Sequence, residues 1–146
     1  MILADANLLI YAVNADLPHH AASRAWLEQQ LGGAQTVGLP WVVLLAFLRI
    51  STSGRIFQQP LSIAQAIDYV DQWLALPTAR TLGPGPHHWR ILRELVAANG
   101  TGGNLTTDAH IAALAIEHGC SVCSADNDSS DSEASATSTR WLAERL

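Results

Sequence analysis

Four aspartates, Asp5, Asp108, Asp126 and Asp128, are the residues best suited to chemistry. Met1-Ile2-Leu3-Ala4 is a short apolar run of the kind that forms a strand buried on both faces of a parallel sheet, and Asp5 stands at its carboxyl end. Asp108 opens a late helix, and Asp126 and Asp128 follow the short run Cys120 to Cys123, which reads as another strand. Carboxylate oxygens are the donors that Mg2+ or Mn2+ prefers, and a site of a few carboxylates leaves positions for water and a phosphate oxygen. A cation held in this way can activate water and stabilise the displaced oxygen. Each aspartate also has a plainer explanation. Asp5 can cap a helix beginning near Ala6, Asp108 can favour the positive end of its helix, and Asp128 can be a solvated turn residue. Their joint placement favours the metal, because sites in parallel α/β folds gather beyond the carboxyl ends of the strands. Asn7 can orient an Asp5 oxygen or a metal-bound water, and Thr107 and Ser124 can hydrogen-bond in the same site. All three are also common cap or turn formers.

The elements that must position these residues alternate along the chain. A short helix is expected over Leu8 to Val13, then a turn at Asn14-Ala15-Asp16 and a second helix with Pro18 in its first turn, stopped by Gly32-Gly33. Thr36 to Leu39 reads as a strand, and Pro40 opens a strongly apolar helix from Trp41 to Ile50. Ser62 and Gln65 have capping-box spacing just before the periodic run Ile63, Ala66, Ile67, Val70, Trp73 and Leu74, which Pro77 closes. A brief strand over Ala79 to Leu82 leads into Gly83-Pro84-Gly85-Pro86, which opens a helix to about Ala98 with Asn99-Gly100 as its cap. After the loop Gly102-Gly103-Asn104, Thr106 or Thr107 caps a helix running to His118, with Gly119 beyond its end. This order predicts an α/β/α sandwich around a mostly parallel sheet of four or five short strands.

Length and composition set the limits. A chain of 146 residues with 49% hydrophobic and 14% charged residues buries one continuous core and is too short for two ordinary domains. No apolar run approaches the roughly 20 residues of a membrane span, and no basic region leads into a signal-peptide core. A soluble cytoplasmic protein is expected. Two cysteines, Cys120 and Cys123, are too few for a disulfide scaffold. Their C-x-x-C spacing puts them on opposite faces of a strand, so a buried structural role is favoured over redox or zinc chemistry. The net charge is -5, and every basic residue is an arginine. Without a dense basic stripe, nucleic acid cannot be held by broad phosphate neutralisation, so bound metal must supply positive charge if nucleic acid is the substrate. His19-His20 and His87-His88 sit near helix starts and suit exposed or capping roles, while His110 suits packing or a hydrogen bond. Trp26, Trp41, Trp73 and Trp89 fall in helical apolar patterns and are assigned to the core rather than to base stacking.

Asp5-Ala6-Asn7 after the first strand, Thr107-Asp108-Ala109-His110 on the late helix and Ser124-Ala125-Asp126-Asn127-Asp128 after the last strand resemble the acidic motifs of PIN-domain VapC ribonuclease toxins. Gly38-Leu39-Pro40-Trp41-Val42-Val43-Leu44-Leu45-Ala46-Phe47-Leu48-Arg49 is similar to one branch of that family. The resemblance covers residues 1–128 as a catalytic domain. It implies that Asp5, Asp108 and Asp126 are metal ligands, with Asp128 an additional acidic member and Mg2+ or Mn2+ the cofactor. Two departures stand out: Ala46 occupies the place where many PIN domains carry a glutamate, and Ser129-Ser130-Asp131 replaces the usual phenylalanine and apolar segment. Residues 129–146 form an atypical tail, expected to be disordered to about Thr139 because it offers no large apolar anchor before Trp141.

The resemblance therefore implies the toxin of a toxin–antitoxin pair, a metal-dependent endoribonuclease acting on structured RNA such as tRNA or rRNA. Contact of Arg49 or Arg55 with RNA phosphates is a reading of the residues and not of the family, and Arg49 can equally be a surface cap or an ion-pair partner. Resemblance, acidic charge and abundant apolar helices together lead to the expectation of a homodimer and a basic or amphipathic VapB-like antitoxin. Two alternatives remain. A catalytically impaired PIN-fold protein would bind the antitoxin without cutting RNA. An aspartate phosphoacceptor domain also uses an acidic Mg2+ site on a parallel sheet, but such domains typically need a lysine, and this chain has none.

Overall fold

Four strands and six helices alternate along residues 1–99 and 104–125, the part of the chain that the computed structural model describes. In chain order they are β1 (Ile2–Ala4), α1 (Ala6–Val13), α2 (His20–Leu31), β2 (Val37–Pro40) and α3 (Trp41–Ser51). The second half adds α4 (Ile63–Leu74), β3 (Ala79–Leu82), α5 (His88–Asn99), α6 (Asn104–His118) and β4 (Ser121–Cys123). The strands form one parallel sheet in the order β3-β2-β1-β4, with Leu3 paired to Gly38 on one side and to Val122 on the other. All four residues of β2 are buried, as a strand must be when both faces of its sheet are covered. Gly38 lies where a Cβ would come within 2.6 Å of a Leu82 methyl group on β3, so the absence of a side chain lets the two strands pack.

Apolar periodicity decides which face each helix turns inward. Leu3, Leu39, Leu44, Phe47 and Leu114 are fully or almost fully buried in the main core, and Trp73 meets Phe47 edge to face at 4.9 Å. A second cluster lies between α5 and α6, built on Leu95, Ala109, Ala112 and Ala113. The Ser62 capping box forms as the sequence predicts: its hydroxyl accepts from the Gln65 amide at 3.1 Å, and the Gln65 side chain accepts from the Ser62 amide at 2.9 Å. Cys120 and Cys123 are free and buried, and burial pushes both thiols up, away from thiolate chemistry. No helix among the described residues is long and apolar enough to cross a membrane.

Several local expectations are corrected. Pro18 precedes α2 instead of lying in its first turn; it sits in a turn closed by the His20 amide on the Leu17 carbonyl at 3.1 Å, where its fixed φ is equally well suited. Helix α6 begins at Asn104, so Thr106 and Thr107 lie inside it and not at its N-cap position. Trp41 and Trp89 are 54% and 70% exposed, each near a helix start and off the inward arc of its helix. Ile63 and Ile67 likewise face outward, while Ala66 and Trp73 carry the contact of α4 with the core. His88 is buried, because α5 packs lengthwise on α6 and His88 shares the arc of Leu92 and Leu95. The Asn99-Gly100 cap, Gly102-Gly103 and the 129–146 tail lie wholly or partly outside the described residues.

Gly119 ends α6 at φ +67, and the Cys120 amide behind it bonds the Ala115 carbonyl at 2.9 Å. Gly119→Ala should therefore lower unfolding free energy by about 1 kcal/mol, measured by urea denaturation.

Candidate active site

The strand order fixes where a site can form. From β1 the chain moves through α1 and α2 to β2 and onward to β3, and then crosses back by α5 and α6 to place β4 on the other side of β1. Neighbouring connections therefore diverge at β1 and β4, and a crevice opens outside their carboxyl ends. Asp5 is the first residue beyond β1. Its amide continues the ladder by donating to the Cys123 carbonyl at 2.9 Å, and its carboxylate accepts from the Ala6 amide at 2.7 Å as the N-cap of α1. The capping role is thus real, but it occupies one carboxylate oxygen.

Asp108 approaches from α6. That helix runs into β4 through Gly119, so its beginning lies toward the carboxyl edge of the sheet. Asp108 is four residues past Asn104, beyond the first turn, where the helix dipole offers little. The dipole explanation for this aspartate therefore loses its footing. Asp5 senses Asp108: burial pushes the Asp5 carboxyl up, the Ala6 hydrogen bond opposes it, and the negative charge of Asp108 raises it further. Asp5 is half-buried and Asp108 is exposed, so one wall is anchored and the other is open to solvent. A divalent cation between them would remove the repulsion that raises Asp5, and the oxygen donors suit Mg2+ or Mn2+. Among the described residues no set of three metal-ligating side chains is assembled. Helix α3 contributes no carboxylate; half-buried Ala46 stands where many PIN domains have glutamate.

Asn7 builds the third wall. Its Nδ2 donates to the Ala125 carbonyl at 2.8 Å, and its Oδ1 accepts from the Ala125 amide at 3.1 Å. Both ends of one side-chain amide thus fix the backbone immediately before Asp126. Nothing local in the sequence marks this clamp, since the partners are 118 positions apart. Asp126 and Asp128 lie outside the described residues. Ser124 is half-buried on the segment leaving β4, and Thr107 is exposed beside Asp108. Arg49, in the last turn of α3, and Arg55, in the loop after it, are exposed at the end of that helix remote from the carboxyl edge, and the fold does not bring them to Asp5 or Asp108.

Fold and site together define an α/β domain with Asp5 and Asp108 gathered at the carboxyl edge of an all-parallel sheet. Residues 2–133 match the PIN domain. The chain is 47% identical over 128 residues to ribonuclease VapC37 of Mycobacterium tuberculosis, spanning 88% of this chain and 89% of that protein. It shares its fold with the M. tuberculosis sarcin-ricin loop cleaving toxin VapC20, at a TM-score of 0.63 and 16% identity over 88% of this chain and 92% of that one. It also shares it with a chain of VapBC2 from Rickettsia felis, solved bound to a promoter DNA fragment, at a TM-score of 0.58 and 20% identity over 84% and 86%. The chain belongs to the PIN-domain family, among its VapC-type ribonucleases.

Two outcomes follow from the site. Asn7→Ala should cost about 1–2 kcal/mol in denaturant melts, because it leaves the Ala125 amide and carbonyl without their side-chain partner. Folding raises the Asp5 carboxyl, so its contribution to stability is complete below the unfolded value near 3.8 and is lost as pH rises through the folded value. Asp5→Asn, which keeps a capping side chain, should therefore raise the metal-free melting temperature at pH 7 and leave it unchanged or lower at pH 3.

Proposed function

We propose that this chain is the toxin of a type II toxin–antitoxin pair, an endoribonuclease that hydrolyses RNA phosphodiester bonds with Mg2+, or Mn2+ in its place. The observation that carries this reading is the placement of Asp5 and Asp108 at the carboxyl edge of the sheet's switch point, near enough for the charge of Asp108 to reach Asp5. Asp5, Asp108 and Asp126 hold the metal, Asp128 adds negative charge, and Thr107 and Ser124 hydrogen-bond around them. Asn7 works indirectly by fixing the chain before Asp126. When bound, the cation supplies water activation and neutralises the phosphate charge. The protein's own contribution is placement: one oxygen of Asp5 is fixed by the Ala6 amide, which leaves the other directed to the crevice. Water adds to phosphorus as a bridging P–O bond breaks.

The chain acts in the cytoplasm through a catalytic domain over residues 1–128, with 129–146 as an appended tail. Its substrate is a structured RNA such as tRNA or rRNA, a reading supported by the sarcin-ricin loop cleaving activity in the name of its structural relative. Arg49 and Arg55, remote from the aspartates, contact phosphates flanking the cut and not the cut itself. A VapB-like antitoxin of basic or amphipathic character is the partner, in keeping with the net charge of -5 and with the VapBC complex of the same fold. Outward-facing Trp41 and Leu45, one turn apart on α3, support a homodimer.

Calorimetry with Mn2+ and RNA cleavage on folded wild type, Asp5→Asn, Asp108→Asn and Asp126→Asn test the site. Each variant should lose metal affinity and at least the roughly 10- to 100-fold of activity that even an outer partner of a metal site can command. Higher metal concentration should partly restore a single variant. Cleavage that survives chelation, or three variants with unchanged affinity and turnover, would defeat the reading.

A further inference from the structure

Away from the acidic crevice, α6 carries a second polar constellation. His88, the one buried imidazole among the described residues, places its Nε2 2.9 Å from Nδ1 of His110, with the rings edge to face at 4.7 Å. Its Nδ1 has no hydrogen-bond partner among the described residues and faces a Glu117 oxygen at 3.9 Å. Glu117 accepts the amides of Gly85 at 2.7 Å and His87 at 2.9 Å, and His118 bonds the Gly83 carbonyl at 2.9 Å. The turn after β3 is thus folded onto α6. A Cβ on Gly85 would stand 2.6 Å from the Glu117 carboxylate, so only glycine permits this approach.

Burial opposes the charge on Glu117, yet the two amide hydrogen bonds, with His88 and His118 nearby, hold its carboxyl below the ordinary range. An ionised carboxylate opposite Nδ1 of His88 favours a proton on that nitrogen. Nε2 of His88 is then the acceptor, and His110 donates from Nδ1.

The rows on α6 give this chain of groups its consequence. Ile111, Leu114 and Ala115 face the main core, and Ala109, Ala112 and Ala113 face α5. His110 and Glu117, seven residues apart, share a third row, and Asp108 stands about 200° around the helix from His110. The α5–α6 seam is lined on the α6 side by Ala109, Ala112 and Ala113 with Ile116 packed against them, and apolar burial is non-directional, so the contact with α5 by itself defines the rotation of α6 less sharply than a hydrogen bond does. Hydrogen bonds weaken steeply with misalignment and therefore discriminate between such rotations. A rotation of about 20° would carry a side-chain tip some 6 Å from the axis through about 2 Å, which is as large as a whole Mg2+–oxygen bond.

We propose that the Glu117–His88–His110 chain is a polar lock on α6 that sets its rotation and so aims Asp108 at Asp5, which makes His88 a positioning residue for the acidic site. The metal-binding consequence rests on the divalent-cation reading above; the lock itself does not. In calorimetry on the full chain, His88→Phe fills the space without either ring nitrogen and should weaken Mn2+ binding about tenfold. His88→Gln, whose amide can stand in for Nε2, should recover most of that loss. Leu95→Ala, in the same α5–α6 seam, should lower the melting temperature but leave Mn2+ affinity within about twofold. Equal affinity in His88→Phe and wild type, or an equal loss in Leu95→Ala, would overturn the inference. A wild-type protein that binds no Mn2+ would sink the cation reading instead. The lock is then judged on metal-free protein by long-range 1H–15N NMR, where His88 and His110 should both be protonated at Nδ1. A His110 ring protonated at Nε2 alone would overturn it whether or not metal binds.

Discussion

A half-buried carboxylate with a second negative charge near it opposes folding at the end of a buried strand, and packing elsewhere has to offset that cost. Asp5 cannot retreat, because its amide is tied to Cys123 and its carboxylate to Ala6. Asp108 is carried by a helix buried along the rows on either side of it. Desolvation is the larger part of the cost that raises the Asp5 carboxyl, and repulsion from Asp108 adds to it. Packing must exceed this cost elsewhere, and it does so through β1 and β2, whose Leu3, Ala4, Val37 and Leu39 have no exposed surface. The repulsion is also what a cation would relieve, so the same strain that weakens the empty fold would strengthen binding.

Most of the fold was legible in the sequence because its signals are local. The apolar run before Asp5, the Ser62-Gln65 capping box and Gly119 beyond His118 each act within a few residues, and each element lies where those signals put it. Reading failed where one pattern serves two environments. Trp41, Trp89, Ile63 and Ile67 have helical apolar spacing, but spacing does not say whether another element covers that side of the helix. Pro18 and the Thr106-Thr107 pair are residues that suit turns, caps and first helical turns alike, and only the surrounding chain selects among these.

The site divides along the same line. Asp5 and Asp108 were legible as candidates from strand-end and helix placement, and their proximity follows from a parallel sheet whose order turns at β1. What was not legible is the machinery that holds them. Asn7 suggested a ligand-orienting amide, whereas its two hydrogen bonds are made with the backbone of Ala125. His88 looked like a cap or a surface residue, but a partner 22 positions away and a carboxylate 29 positions away draw it inward. Contacts of that separation depend on the finished topology and leave no periodicity to read.

Helix α6 shows why a small nuclease domain needs such contacts. One row of the helix must be apolar to hold the core and another to meet α5, so little of its surface remains to carry specificity. Alanines on the second row allow close approach, and close approach without interlocking side chains leaves rotation weakly determined. A loop with two glycines and two prolines between β3 and α5 can bring its amides to Glu117 because the prolines fix their own φ angles and Gly85 puts no side-chain bulk in the way. The carboxylate that orders this turn lies nine residues from the one that faces the crevice. A single helix thus links the geometry of a remote turn to the placement of Asp108.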